Sequence, residues 1–202
     1  FTPMPFKLSI EDQRLEYWEE TGKILLEKGQ VAAFLVAGGQ GSRLGFEGPK
    51  GMFDIGLPSH KSLLQLQAER IQNLATQVGH PIPWCIMTSP LNHRATIEFF
   101  ESHHFFGIDR TNIRFFEQGT ICALDPSGKA ILQDNEHLAL VPDGNGGCFR
   151  ALAQSGTLAW LVEKGVRYIF LYSVDNALVK VCDPAFVGAL ASTGNMISAS
   201  KV

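Results

Sequence analysis

A chain of 202 residues with 45% hydrophobic content can bury one substantial core, as one large domain or two small ones. Its formal net charge of -3 offers no basic face to nucleic acid, and no apolar run approaches the roughly 20 residues that span a bilayer. Nucleic-acid and membrane partners are therefore not expected. Cys85, Cys122, Cys148 and Cys182 are widely spaced, lack any C-x-x-C pairing and sit mostly in apolar stretches. This reads as reduced core thiols of a cytoplasmic protein, with a four-cysteine zinc site as the alternative. There is no N-x-Ser/Thr sequon and no amino-terminal signal pattern, which gives secretion no support. The chain opens on Phe1 rather than Met, as a processed or truncated chain would.

Residues 1–30 read as an amino-terminal helical segment. Ile10, Leu15, Trp18 and Leu25 recur among charges between Ser9 and Lys28, with Ser9 as a cap and Gly29 as a stop. The run from Val31 to Val36 has no polar alternation, as expected of a central strand covered on both faces of a parallel sheet. A glycine-rich loop follows, then a helix over Ser62 to Val78 ended by Gly79, and a second strand over Pro83 to Thr88. Strand, loop, helix, strand implies parallel pairing. Leu91 to Ser102 predicts a helix and Ile113 to Glu117 a third strand. Asp125-Pro126-Ser127-Gly128 predicts a hairpin turn within Ile121 to Gln133. Cys148 to Lys164 predicts one helix stopped by Gly165, Val166 to Val174 a strand, Pro184 to Leu190 a short helix and Met196 to Val202 a last strand. The plan is α/β, a mostly parallel sheet with a small β-hairpin insertion.

The loop after the first strand carries the chemistry. Ligands of open α/β sheets bind at the carboxyl ends of strands. There Gly38, Gly39 and Gly41 can bring backbone N–H groups close to phosphate oxygens. Arg43 and Lys50 add a forked and a point positive charge, a pair suited to adjacent anionic groups. Neither the G-x-G-x-x-G nor the Walker A pattern fits, and a tight turn without a ligand is the plain alternative. Asp175 directly follows the strand ending at Val174, which places a carboxylate at the same sheet edge. Mg²⁺ takes one such oxygen ligand alongside substrate phosphates, so Asp175 reads as a metal anchor and Asp183, before Pro184, as a helix cap. The run from Pro142 to Gly147 (PDGNGG) can present backbone to a base or sugar, or form a surface turn. The six histidines never recur at metal-ligand spacing, and no G-x-S-x-G elbow accompanies them.

Taken together, LVAGGQGSRLGFEGPKG at 35–51, PDGNGG at 142–147 and YSVDN at 172–176 resemble the UDP-sugar pyrophosphorylases, most closely the UDP-N-acetylhexosamine branch. LPSHKSLLQLQAERI, WCIMTS, FFEQG and SASKV agree in order, so the resemblance covers nearly the whole chain. It implies a Rossmann-like three-layer, GT-A-like nucleotidyltransferase domain, with 31–202 as its nucleotide-binding part. It further implies that Gly38 and Gly39 lie against the uridine, Arg43 and Lys50 contact triphosphate, and Gln118 reads the uracil edge. Gly144 would lie near the base, Asn145 would contact the sugar or its phosphate, and Asp175 would hold Mg²⁺. The implied substrates are UTP and N-acetylglucosamine 1-phosphate or N-acetylgalactosamine 1-phosphate. Glucose 1-phosphate, a broader sugar range, or a catalytically silent nucleotide-binding module are the other readings. Ser42 stands where the family has Thr, keeping a hydroxyl. Family members are much longer, so the chain resembles an amino-terminal portion; nothing in it fixes an oligomeric state.

Overall fold

The computed structural model describes residues 13–194. Four strands form a parallel sheet: β1 (Val31–Val36), β2 (Trp84–Thr88), β3 (Ile113–Glu117) and β6 (Tyr168–Ser173), in the spatial order β3-β2-β1-β6. β1 pairs in parallel with both neighbours, Phe34 opposite Cys85 on one side and Leu171 on the other. All five residues from Val31 to Leu35 are buried, because alternate side chains serve two different cores. On one face Val31, Ala33 and Leu35 pack with Trp84 and Ile86 under α1 (Leu15–Glu27), α2 (Leu63–Val78), α3 (His93–Ser102) and α6 (Pro184–Ser192). On the other, Ala32, Phe34, Cys85 and Met87 meet α4 (Cys148–Gln154) and α5 (Thr157–Glu163). The result is the expected three-layer α/β sandwich.

The helix ends follow local chemistry. Ser62 caps α2 by accepting the N–H of Gln65, and Gly79, at φ 66°, closes it in the left-handed conformation. α1 and α6 cross closely: the space a Cβ on Gly188 would need is filled by the carbonyl of Trp18, and that of Gly22 by the backbone of Pro184. Leu26 of α1 and Val187 of α6 belong to the same core as the sheet.

Two expectations need correction and one, the hairpin insertion, is present and extends further. The single helix over Cys148 to Lys164 is two helices, because Gly156 adopts φ 75° between Gln154 and Thr157 and turns the chain. The insertion is more than a local hairpin. The 125–128 turn does close, with Leu124 bridged to Ala130, but the regular ladder pairs β4 (Thr120–Cys122) with β5 (Leu140–Pro142), strands far apart in sequence. Asp183 occupies the position before α6 with Pro184 at its start, yet its carboxylate forms no cap hydrogen bond and lies 3.1 Å from the Lys180 ammonium. Ser9 and the strand expected over Met196 to Val202 lie outside the described residues.

The four cysteines are unpaired, three of them buried, and burial pushes the Cys85 thiol up to about 12. Among the described residues, no three His, Cys, Asp or Glu gather as a metal cluster, and no helix is long and apolar enough to cross a membrane.

Candidate functional site

Every strand of the parallel sheet points the same way, so the segments that leave β1, β3 and β6 emerge at one edge. The glycine loop leaves β1 there and folds back on itself. Gly41 donates its N–H to the Gly48 carbonyl (2.8 Å), and Lys50 donates its own to Gly39 (3.1 Å). This small antiparallel clasp, with Gln40 opposite Pro49, fixes where the Lys50 side chain starts. The Lys50 ammonium then lies 2.8 Å from Asp175 Oδ1, so the loop after β1 and the acid after β6 meet directly. Lys50 is half-buried, whereas Asp175 is 58% exposed and accepts a further long hydrogen bond from the Ser173 hydroxyl at 3.5 Å.

From the other side, Gln118 follows β3 with its backbone N–H bound to the Thr88 carbonyl (2.8 Å) and its side chain buried. Its amide faces Gly38 so closely that a Cβ there would come within 2.7 Å of Nε2. The glycine at 38 thus leaves room for the Gln118 amide to approach closely, and its φ is not in the left-handed region. Gln118 also lines a cleft of about 420 Å³ with His93, Gly119, Gln154 and Ser155. The PDGNGG run is anchored beside it: Asp143 donates its N–H to the Gly119 carbonyl (3.0 Å), and its carboxylate packs against Gly119 and Gly147. Gly144, exposed at φ 77°, therefore stands next to Gln118–Gly119 in space, and Asn145 follows it in a short 3-10 turn. Behind this loop burial raises the Cys148 thiol above its ordinary value.

The structure thus brings Gly38, Gly39, Lys50, Gln118, Gly144 and Asp175 to one edge. Two expected residues stand differently. Gly41 spends its N–H inside the clasp, and a Cβ on it would strike Phe46 at 2.7 Å, so it shapes the loop. Arg43 sits exposed in the 3-10 turn Ser42–Leu44 and makes no ion pair among the described residues. Sequence reasoning missed two buried amides behind the site. Asn92 donates to the carbonyls of Ala37 (3.0 Å) and Gly39 (3.3 Å), and Gln67 on α2 donates to Val174 (3.4 Å), one residue before Asp175. Neither belongs to a local pattern; an Asn shortly after the strand ending at Thr88 was the only signal for position 92.

The chain is similar to known proteins along most of its length. The family model described as UTP--glucose-1-phosphate uridylyltransferase matches residues 2–199. A UDP-N-acetylglucosamine pyrophosphorylase of Saccharomyces cerevisiae is 45% identical over 177 residues, covering 86% of this chain and 37% of the relative. A mouse UDP-N-acetylhexosamine pyrophosphorylase-like protein 1 is 48% identical over 177 residues, 85% and 35% of the two chains. The crystal structure of the UDP-N-acetylglucosamine pyrophosphorylase from Trypanosoma brucei superposes with a TM-score of 0.83 at 31% identity, covering 90% of this chain and 39% of that one. The chain spans about two-fifths of the length of the curated relatives it matches. With a family model matched along almost its entire length and relatives above 40% identity, the chain belongs to the UTP--glucose-1-phosphate uridylyltransferase family.

Proposed function

We propose that this chain is the nucleotide-binding part of a uridylyltransferase that joins UTP to N-acetylglucosamine 1-phosphate, or its galactosamine counterpart, and releases pyrophosphate. The observation that carries the reading is the 2.8 Å meeting of Lys50 and Asp175 beside backbone N–H groups of the glycine loop, a place built for clustered charge. The relatives' names favour an N-acetylated amino sugar over glucose, because those at 45 and 48% identity are called UDP-N-acetylglucosamine pyrophosphorylase and UDP-N-acetylhexosamine pyrophosphorylase-like protein 1.

In this reaction a phosphate oxygen of the sugar 1-phosphate forms a bond to the α-phosphorus of UTP. The α–β anhydride bond breaks, and its electrons leave with pyrophosphate. No proton need be moved by the protein, so its task is positioning and charge stabilisation. Lys50 neutralises the phosphates from its fixed base in the clasp. Arg43 is free to reach them from solvent. Gln118 offers an amide edge to the uracil, beside the backbone of Gly144, while Asn145 takes the sugar or its phosphate. A divalent cation fits Asp175: this carboxylate already accepts a cation as partner, and Mg²⁺ needs few protein ligands when phosphates complete its shell. When bound, Mg²⁺ would supply charge neutralisation on the phosphates. A cytoplasmic location goes with this reading and is supported by the unpaired thiols.

The test is pyrophosphate release by the complete gene product with UTP, Mg²⁺ and a panel of sugar 1-phosphates. Release is expected with N-acetylglucosamine 1-phosphate. Preference for glucose 1-phosphate would overturn the substrate, and UTP binding without turnover on any sugar would leave a silent nucleotide-binding module.

A further inference from the structure

Asn92 is fully buried at the junction between β2 and α3, and its side-chain amide is held at both ends. Its Oδ1 accepts from the Ser89 N–H (2.8 Å) and the Ser89 hydroxyl (3.1 Å), which fixes the orientation of the amide. Its Nδ2 then donates to the carbonyls of Ala37 and Gly39, two alternate peptides at the mouth of the glycine loop. A trans peptide points its C=O and the following N–H in opposite directions. Turning these two carbonyls inward therefore turns the N–H groups of Gly38 and Gln40 away from Asn92. Among the described residues, no protein acceptor takes the N–H of Gly38, Gly39 or Gln40.

We propose that Asn92 is a positioning residue which sorts the dipoles of the glycine loop, hiding the carbonyls of Ala37 and Gly39 and presenting the free N–H groups of Gly38 and Gln40 to an anion. The inference rests on the reading that this loop holds phosphate. A loop of this composition is free to flip its glycine peptides, and a flipped peptide would face a phosphate with a carbonyl oxygen. Lys50 depends on the same arrangement, because its backbone N–H is bound to the Gly39 carbonyl that Asn92 also holds.

The test compares the parent chain with Asn92→Ala and Asn92→Asp. Hydrogen exchange is followed in peptides spanning 38–50 and, as a control, in α1. UTP affinity is measured by calorimetry at pH 8 and pH 5, each variant relative to the parent at the same pH. Both variants are expected to exchange about 10-fold faster in the loop with α1 unchanged, and to bind UTP about 10- to 100-fold more weakly at pH 8. In Asn92→Asp the ionised side chain keeps the acceptor for Ser89 but sets a carboxylate against two carbonyls, whereas its protonated form can again donate to one of them. The deficit of Asn92→Asp should therefore shrink several-fold at pH 5 while that of Asn92→Ala does not. Loop exchange equal to the parent's in both variants would overturn the proposal. A deficit that ignores pH would reduce Asn92 to packing and overturn it equally. Failure of the parent to bind UTP, with the loop exchange responding as expected, would instead sink the nucleotide reading and leave the brace standing.

Discussion

Lys50 supplies the charge that glycines lack, and its environment decides how it will respond to substitution. The pair with Asp175 is partly exposed, so it contributes at most about 1 kcal/mol to stability. A phosphate contact in a closed, dry site is worth far more, about 2 to 4 kcal/mol. Lys50→Ala in the intact enzyme should therefore lower turnover by about 100- to 1000-fold while leaving the melting temperature nearly unchanged, as read by pyrophosphate release and thermal unfolding. Near-parental turnover would remove Lys50 from the mechanism. This residue, with Gly38, Gly39 and Asp175, was legible in the sequence because each lies in a short motif whose chemistry is carried by residue type and by position at a strand end. Asn92 and Gln67 were not. Their partners are 53 to 107 residues away, and nothing in a buried amide's neighbours in the chain announces what it will hold.

Among the elements, the crossing of α1 and α6 is the tightest contact. Gly188 abuts the Trp18 carbonyl and Gly22 abuts Pro184, both backbone, so neither neighbour can swing aside as a long side chain would. Gly188→Ala should lower stability by about 1 to 3 kcal/mol through overpacking, despite the higher helix propensity of alanine. Urea titration would show it as a lowered midpoint; an unchanged or raised midpoint would mean that α1 does not pack as described. Local periodicity reveals some elements and hides others. β1, α2 and β3 follow apolar runs and end signals that act within one turn of chain, so they were readable with nearly correct boundaries. The break at Gly156 was hidden because a lone glycine is tolerated in many helices, and only its left-handed backbone divides α4 from α5. The pairing of Thr120–Cys122 with Leu140–Pro142 was hidden because ladder partners so far apart leave no mark on a local window.

The whole molecule is organised about β1, which puts alternate residues into two cores and so couples the helices on either side. The tryptophans happen to report each layer: Trp18 lies on α1, Trp84 in the central sheet and Trp160 on α5, all buried. Variants retaining one tryptophan at a time should unfold at coincident urea midpoints once each is corrected for its own loss of stability, because layers sharing one strand cannot part separately. An early transition reported by Trp160 alone would mean that α4 and α5 form an independent unit. At this scale the parallel α/β architecture was the most legible property of all, since it needs only the order of elements and one fully apolar strand, β1.

The contact between the Lys50 ammonium and the Asp175 carboxylate gives the resting cleft its own internal counter-ions. On the proposed reading, a polyanion arriving with a metal would load by a double exchange, Lys50 turning to the anion and Asp175 holding the metal. Departure of product would reverse the swap, and each group would reclaim the other instead of being stranded in water.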